Sequence, residues 1–381
     1  MAGIYHLEEN VFSNFTTTSP ISRYIQKQIF LQIGAVFYKD VDRSSSILAN
    51  HFARGIEAYH QINTKKTYDS FEEKSDFLIK IINKQIRDSK IKSISIFLSG
   101  GADSALLARL LVLNGVEVHA YHATYSDRNN SETIRKVSNL SSICNRIGIS
   151  NLTVTYGGLG PEDFAKSYRL NPSYSPAASA VANIFLNTDI SSRHNLCFAQ
   201  GADTLSNLVH TQKKYFNRSE SAQVTQIKSI LCSMYASVFP KVYRFVGLRI
   251  AHKILREIPY QIQSLEKIEI QNLSRLIGMH LVHTPLDSKF FYDQATQNHM
   301  QVFNPFHTLE VEEIYMQNIR DVGVKYLPAK FEIMLALDNL GISDLPFDKS
   351  GFKVEYSDKH GQKMSARTYH KNIFLSLQGT S

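Results

Sequence analysis

The sequence predicts an α/β protein: a parallel sheet with helices on both faces, extended by a mostly helical C-terminal part and a small N-terminal region. Three observations carry this reading. From residue 72 to about 210, short apolar runs alternate with segments of helical spacing. The runs end on Gly, Ser and Asp loops from which the next helix starts at once. Three such loops, Ser99–Ser104, Ala123–Asp127 and Gln200–Thr204, fall at the carboxyl ends of strands, where open α/β sheets bind ligands.

Residues 1–71 mix apolar pieces such as Ile29–Phe37 with polar connections and read as a small strand-containing region. Phe71–Ile86 places apolar residues at helical spacing and predicts an amphipathic lead-in helix. A strand at 94–98 then feeds a helix at 103–114 that Gly115 ends. A strand at 116–123 precedes a helix at 131–147, closed by Gly148, and a strand at 151–156 enters a Gly/Pro-rich loop. A helix at 176–187 and a strand at 195–199 complete this unit. Beyond Gly201 the pattern is helical, with candidates at 221–237, 241–256, 262–277, 309–319 and 328–339.

Composition narrows the function classes. The 381 residues are 43% hydrophobic and 20% charged, as in a soluble globular protein. No run of 18 apolar residues predicts a membrane span, and the N-terminus lacks the basic and apolar regions of a secretory signal. Cys144, Cys197 and Cys232 are widely spaced and form no CxxC pair, so neither a disulfide framework nor a cysteine zinc site is expected. The expectation is a cytoplasmic protein without a membrane partner. The net charge of +8 is dispersed along the chain, which argues against a nucleic-acid partner.

The chemistry concentrates in Ser99-Gly100-Gly101-Ala102-Asp103-Ser104. A glycine turn opening a helix presents backbone N–H groups and the positive end of a dipole, an anion site. Asp103 would repel a bare phosphate, so the wording predicts a nucleotide polyphosphate bound with Mg²⁺. A Walker A loop is excluded, because its lysine is absent.

This SGGADS segment resembles the SGGxDS loop of the ATP pyrophosphatase (PP-loop) superfamily, which splits ATP between its α- and β-phosphates. Four further stretches resemble the synthase domain of asparagine synthetases: Asn171–Leu186, Phe198–Thr204 (FAQGADT), Phe303–Glu310 (FNPFHTLE) and Leu345–Phe352 (LPFDKSGF). The likeness spans about residues 75–355. It implies an adenine nucleotide α-hydrolase-like fold over 72–381, with a nucleotide-binding core at 90–210 and a helical part at 211–381. The activity it implies is adenylation of a carboxylate with ATP and Mg²⁺, followed by displacement of AMP by an amine.

Carried over residue by residue, the resemblance gives Ser99, Gly100, Gly101 and Ser104 to pyrophosphate, and Asp103 and Asp203 to magnesium. Gly201 falls on the glycine of the second loop. Ala123 and Thr124 match the adenine and ribose region, contributing backbone atoms and shape. Lys349 is the cation expected to meet late-developing charge, its loop anchored by Pro346, Phe347, Gly351 and Phe352. Lys325 and Lys330 read as weaker, solvent-facing candidates.

The departures are as informative. The family's glutamate before the Pro-Phe pair is Gln301 here, which cannot take a proton; His299, Tyr292 and His307 lie near it in sequence. Thr204 and Thr308 replace two family acids. Ala2 stands where glutaminases carry a cysteine nucleophile, and fewer than 90 residues precede the synthase-like part. The expectation is therefore an amide ligase that does not hydrolyse glutamine. Its amine would be ammonia, ammonia or peptide from a protein partner, or an amine of the substrate, as in β-lactam synthetases and lasso-peptide cyclases. Its acyl substrate would be a small-molecule or peptide carboxylate. Two alternatives stay open: a tRNA- or base-modifying PP-loop enzyme, and a catalytically degenerate ATP-binding partner module.

Overall fold

The structure, a computed structural model, describes residues 67–124, 128–157, 176–202, 289–316, 318–319, 330–347, 356–357 and 363–364. In chain order these form β1 (Thr67–Tyr68), α1 (Phe71–Ser89), β2 (Ser93–Phe97), α2 (Ala102–Leu113), β3 (Glu117–Ala123), α3 (Ser131–Ile147) and β4 (Asn151–Thr155). Then come α4 (Pro176–Asn187), a 3-10 turn at Ile190–Ser192, β5 (Asn195–Cys197), α5 (Lys289–Gln297) and β6 (Gln301–Phe303). A second 3-10 turn (Pro305–His307), α6 (Leu309–Met316), β7 (Asn318–Ile319), α7 (Phe331–Asn339), β8 (Tyr356–Ser357) and β9 (Lys363–Met364) complete the order.

Five strands pair in the order β4-β3-β2-β5-β6, every pair parallel. Side-chain alternation along them divides the core in two. Ile94, Ile96 and Leu98 join one apolar cluster with Val118 and Ala120, against α1, α2, α3, α6 and α7. Phe97, Tyr121, Leu196 and Phe198 enter the other, against α4 and α5. Helices thus cover both faces, as the sequence predicts. Burial on both faces is why β2 reads as a nearly continuous apolar run.

Local chemistry explains the well-placed boundaries. Asn130 caps α3 by accepting from the N–H groups of Glu132 and Thr133, and Ser70 caps α1 by accepting from Glu73. Gly148 ends α3 at φ +94°, and Gly115 follows α2 at φ +73°. A Cβ at Gly148 would come within 3.3 Å of Val112 Cγ1, whereas one at Gly115 would meet nothing within 4 Å. Gly148→Ala is therefore expected to lower stability by about 2 kcal/mol and Gly115→Ala by about 1 kcal/mol. Urea unfolding of the two variants checks this; a smaller loss at Gly148 would contradict it.

The later part departs from the helical reading. The sheet takes its fifth strand from Gln301–Phe303, far beyond residue 210. The helix expected over 309–319 stops at Met316, because Asn318 and Ile319 pair in parallel with Thr67 and Tyr68. The helix expected from 328 begins at Phe331, because Lys330 takes a left-handed backbone conformation (φ 63°, ψ 27°). The helices expected at 221–237, 241–256 and 262–277 lie outside the described residues.

Candidate active site

The sheet reverses its order between β2 and β5. From β2 the chain steps outward through β3 and β4, and then lays β5 and β6 on the opposite side. Loops leaving adjacent strands at such a reversal part to opposite sides and leave a crevice at the carboxyl ends. Its borders here are Ser99–Ser104, leaving β2, and Phe198–Ala202, leaving β5.

The first loop is held by its own hydrogen bonds. The Gly101 N–H donates to Ser99 Oγ (3.2 Å), Ser99 Oγ and Ser104 Oγ are 3.1 Å apart, and Ser104 Oγ donates to the Gly101 carbonyl (3.1 Å). Gly100 sits at φ +83°, a conformation that a residue with a Cβ adopts only with strain. Gly101 occupies the N-cap position of α2, so no side chain caps that helix. Its first-turn N–H groups therefore open toward the crevice instead of folding onto a cap. From β3, His122 Nδ1 lies 2.8 Å from the Leu98 carbonyl, bracing the strand just before the loop.

Asp103, in the first turn of α2, holds an ion pair that the sequence reading did not anticipate. Lys330 Nζ donates to Asp103 Oδ2 at 2.5 Å, across 227 residues of sequence. Both side chains are largely covered, 25% exposed for the lysine and 13% for the aspartate. This corrects the expectation that Lys330 faces solvent. The reason lies in how α7 docks on α1. Phe331 packs edge-on against Phe71 (4.9 Å between ring centroids), Ser75 Oγ donates to the Glu332 carbonyl (3.2 Å), and Lys74 Nζ pairs with Glu332 Oε1 at 3.3 Å. These contacts fix the start of α7 and bring Lys330 to the glycine loop. Only a solvent-facing helix start is visible in the local sequence, since the partners of Phe331 and Glu332 in these contacts sit on α1.

The second loop has Gly201 at φ +103°, buried beside Ala202. Asn304 Nδ2 donates to the Gln200 carbonyl (2.9 Å), tying the turn after β6 to this loop. Tyr292 Oη lies 3.1 Å from His307 Nδ1, and the Tyr292 ring packs on Phe198 (5.3 Å). The Tyr292–His307 pair thus stands next to the second loop, at the same end of the sheet as the first. His299 instead ends α5 at φ 55°, exposed, with the Met300 N–H donating to the Ala295 carbonyl (2.8 Å).

Gln301 is carried elsewhere. As first residue of β6 it is level with Asn195 and so with Ile94, and its side chain is exposed. Ser99 lies five residues further along, roughly 16 Å at the rise of a parallel strand. The fold does not gather Gln301 with the two loops. Ala123 and Thr124 do end β3 at the crevice side; the Thr124 N–H and hydroxyl both donate to the Thr155 carbonyl (2.8 and 3.1 Å). Thr308, at the position of a family acid, accepts from Gln85 Nε2 (2.8 Å) and donates to the Pro305 carbonyl. Asp203 and Lys349 lie outside the described residues, as do Lys325, Gly351 and Phe352. Leu345 and Phe347 pack on the core while Pro346 is exposed, so the segment before Lys349 is anchored through the first two.

Two thiols are withdrawn from chemistry. Burial pushes the Cys144 thiol up to about 11 and the fully enclosed Cys197 thiol up as well. Neither supplies appreciable thiolate at neutral pH. Among the described residues no three His, Cys, Asp or Glu side chains gather to hold a metal, and no helix is long and apolar enough to cross a membrane.

No family model matches the chain and no curated protein matches it. Solved structures similar to it include the U34-tRNA thiolase NcsA from Methanococcus maripaludis with its 4Fe-4S cluster, at 14% identity and a TM-score of 0.26, covering 59% of this chain and 81% of that one. Another is NMN synthetase from Francisella tularensis, at 15% identity and a TM-score of 0.22, covering 65% of this chain and 93% of that one. Likenesses of this size carry no functional argument, and the architecture above rests on the strand pairing itself.

Asp103 offers magnesium an oxygen donor of the type it prefers, and the loop before it offers phosphate backbone N–H groups and hydroxyls. The donor set fits a metal-bound polyphosphate. Lys330 already supplies one positive charge at Asp103.

Proposed function

We propose that the chain is an ATP-dependent, AMP-forming ligase of the PP-loop superfamily, resembling asparagine synthetase synthase domains, that activates a carboxylate and passes it to an amine. The observation that carries the reading is the uncapped glycine loop with an ion-paired aspartate, at the point where the sheet reverses its order.

The chemistry asked of these residues is modest. A carboxylate oxygen of the substrate bonds to the α-phosphorus of ATP while the bond from that phosphorus to the bridging oxygen breaks. Pyrophosphate leaves with the electron pair. Ser99, Gly100, Gly101 and Ser104 hold the departing group through N–H and O–H donors, where its charge develops. Asp103, with Asp203 from the loop after β5, would hold Mg²⁺, which when bound neutralises charge on the polyphosphate. Ala123 and Thr124 shape the adenosine side, Gly201 leaves room for close approach, and Lys349 meets the late charge.

In the second half the amine nitrogen bonds to the acyl carbon, AMP leaves, and the nitrogen's proton passes to a base. Gln301 takes no proton and lies at the start of β6, away from the two loops. The Tyr292–His307 pair, beside the second loop, can accept it. The acyl substrate is a small-molecule or peptide carboxylate, and the amine is ammonia, a partner's ammonia or peptide, or a group of the substrate itself. A thiol-dependent base modification finds no support at Cys144 or Cys197.

Carboxylate substrates labelled with oxygen-18 test the adenylation step. Turnover with ATP should deliver one labelled oxygen to AMP for each amide formed. AMP free of label, with amide made, would exclude the acyl-adenylate.

A further inference from the structure

We propose that the outer edge of β4 is a docking site for an extended, carboxylate-bearing peptide of a partner, which adds to the sheet as a further strand. The site lies apart from the glycine loop and does not depend on the nucleotide reading. Among the described residues β4 ends the sheet, with β3 on one side and no strand on the other. Sheet edges are ordinarily protected by charged side chains, proline, a bulge or very short strands, because their free N–H and C=O groups are a template for another chain. Asn151–Thr155 reads NLTVT, with neither charge nor proline. It pairs with β3 in unbroken register from Asn151 to Thr155, so no bulge turns the edge away.

The backbone of β4 is oriented for such pairing. The Thr124 N–H donates to the Thr155 carbonyl (2.8 Å), so the polar groups of Thr155, and of Thr153 and Asn151 in phase with it, face β3. Those of Leu152 and Val154 face away from β3. Beside this edge, between it and α3, lies a cavity of about 420 Å³. Val137, Ser141 and Cys144 line it from one face of the helix, and Leu152, Val154 and Tyr156 from one face of the strand. The last three span about 13 Å at the rise of a parallel strand. A cavity drawn out along the strand suits a chain whose side chains enter it at every second residue.

One end of the cavity carries charge. Arg128, exposed in the loop after β3, lies with its guanidinium carbon 4.6 Å from the centroid of the Tyr156 ring. Stacking on an aromatic face orients the guanidinium and leaves the N–H groups at its rim open to an acceptor. Among the described residues nothing forms a hydrogen bond or ion pair with them. Of the described residues that line the cavity, Arg128 alone is charged. Its complement is a carboxylate, which a guanidinium fork binds through paired donors. The occupant that fits has apolar side chains two residues apart and then an acidic residue on the same face, beside Arg128.

Fluorescence anisotropy with a labelled hexapeptide, Thr-Val-Thr-Val-Thr-Glu amide, tests the site on the full chain without ATP or magnesium. Saturable binding is expected. Arg128→Ala should weaken it by at least about 5-fold, and so should replacing the probe's glutamate with glutamine. Combining the two should cost little more than either alone, since both remove one contact. N-methylation distinguishes strand addition from side-chain capture, because an added strand turns only alternate amides toward β4. Methylating one of two adjacent central amides should cost at least about 10-fold, and methylating its neighbour less than about 3-fold. No saturable binding by the parent, equal affinity in Arg128→Ala, or equal effects of the two methylations would each overturn the proposal. None of these outcomes bears on the nucleotide reading.

Discussion

Asp103→Asn is expected to lower substrate-dependent pyrophosphate release by at least about 100-fold, the scale on which removing a charged group from a phosphoryl-transfer site acts. Asparagine keeps the shape of the side chain but neither holds a divalent cation well nor orients the Lys330 ammonium. The change leaves Lys330 without its carboxylate, but that lysine is 25% exposed and can reach water. The stability cost should therefore stay within about 1–2 kcal/mol. The combination is diagnostic: turnover with magnesium falls steeply while the fold holds. Turnover within about 3-fold of the parent would remove Asp103 from the chemistry.

Glu332→Ala should cost about 3–5 kcal/mol of unfolding free energy, measured in urea. Lys74 is 4% exposed, and its ammonium lies 6.0 Å from the centroid of the Tyr315 ring, so truncating Glu332 removes a carboxylate partner from a charge in a low-dielectric place. Replacing both partners with methionine should recover most of that loss, because two apolar chains of similar volume carry no desolvation penalty. A single-variant cost below about 1 kcal/mol would contradict the buried-pair account. The same contact mounts Lys330, so the double variant should also show whether α7 can present that residue without a charged hinge to α1.

Much of this architecture is legible in local sequence because each signal and its structural cause lie within a few residues. Ser131–Ile147 is bracketed by an asparagine cap and a glycine, and the structure returns that span. Pro176–Asn187 likewise has the predicted bounds. The Ser99–Ser104 loop is readable because an apolar strand, two glycines and a helical run are contiguous. β6 is not: three residues, Gln301–Phe303, carry too little pattern, and only pairing with β5 makes them a strand. The same pairing sets Gln301 level with Ile94, although the resemblance put it at the position of a family acid–base residue. Lys330 is the sharper case, since its position depends on Phe71, Lys74 and Ser75, more than 250 residues earlier. A residue delivered by tertiary docking leaves no trace in its own neighbourhood.

The central claim is that the loop after β2 supports cleavage between the α- and β-phosphates of ATP. Identifying the nucleotides formed from ATP and Mg²⁺ with a panel of amino acids and peptides bearing free carboxylates tests it directly. AMP and pyrophosphate in equal amounts, lost in Asp103→Asn, are the predicted result. ADP and inorganic phosphate would contradict it.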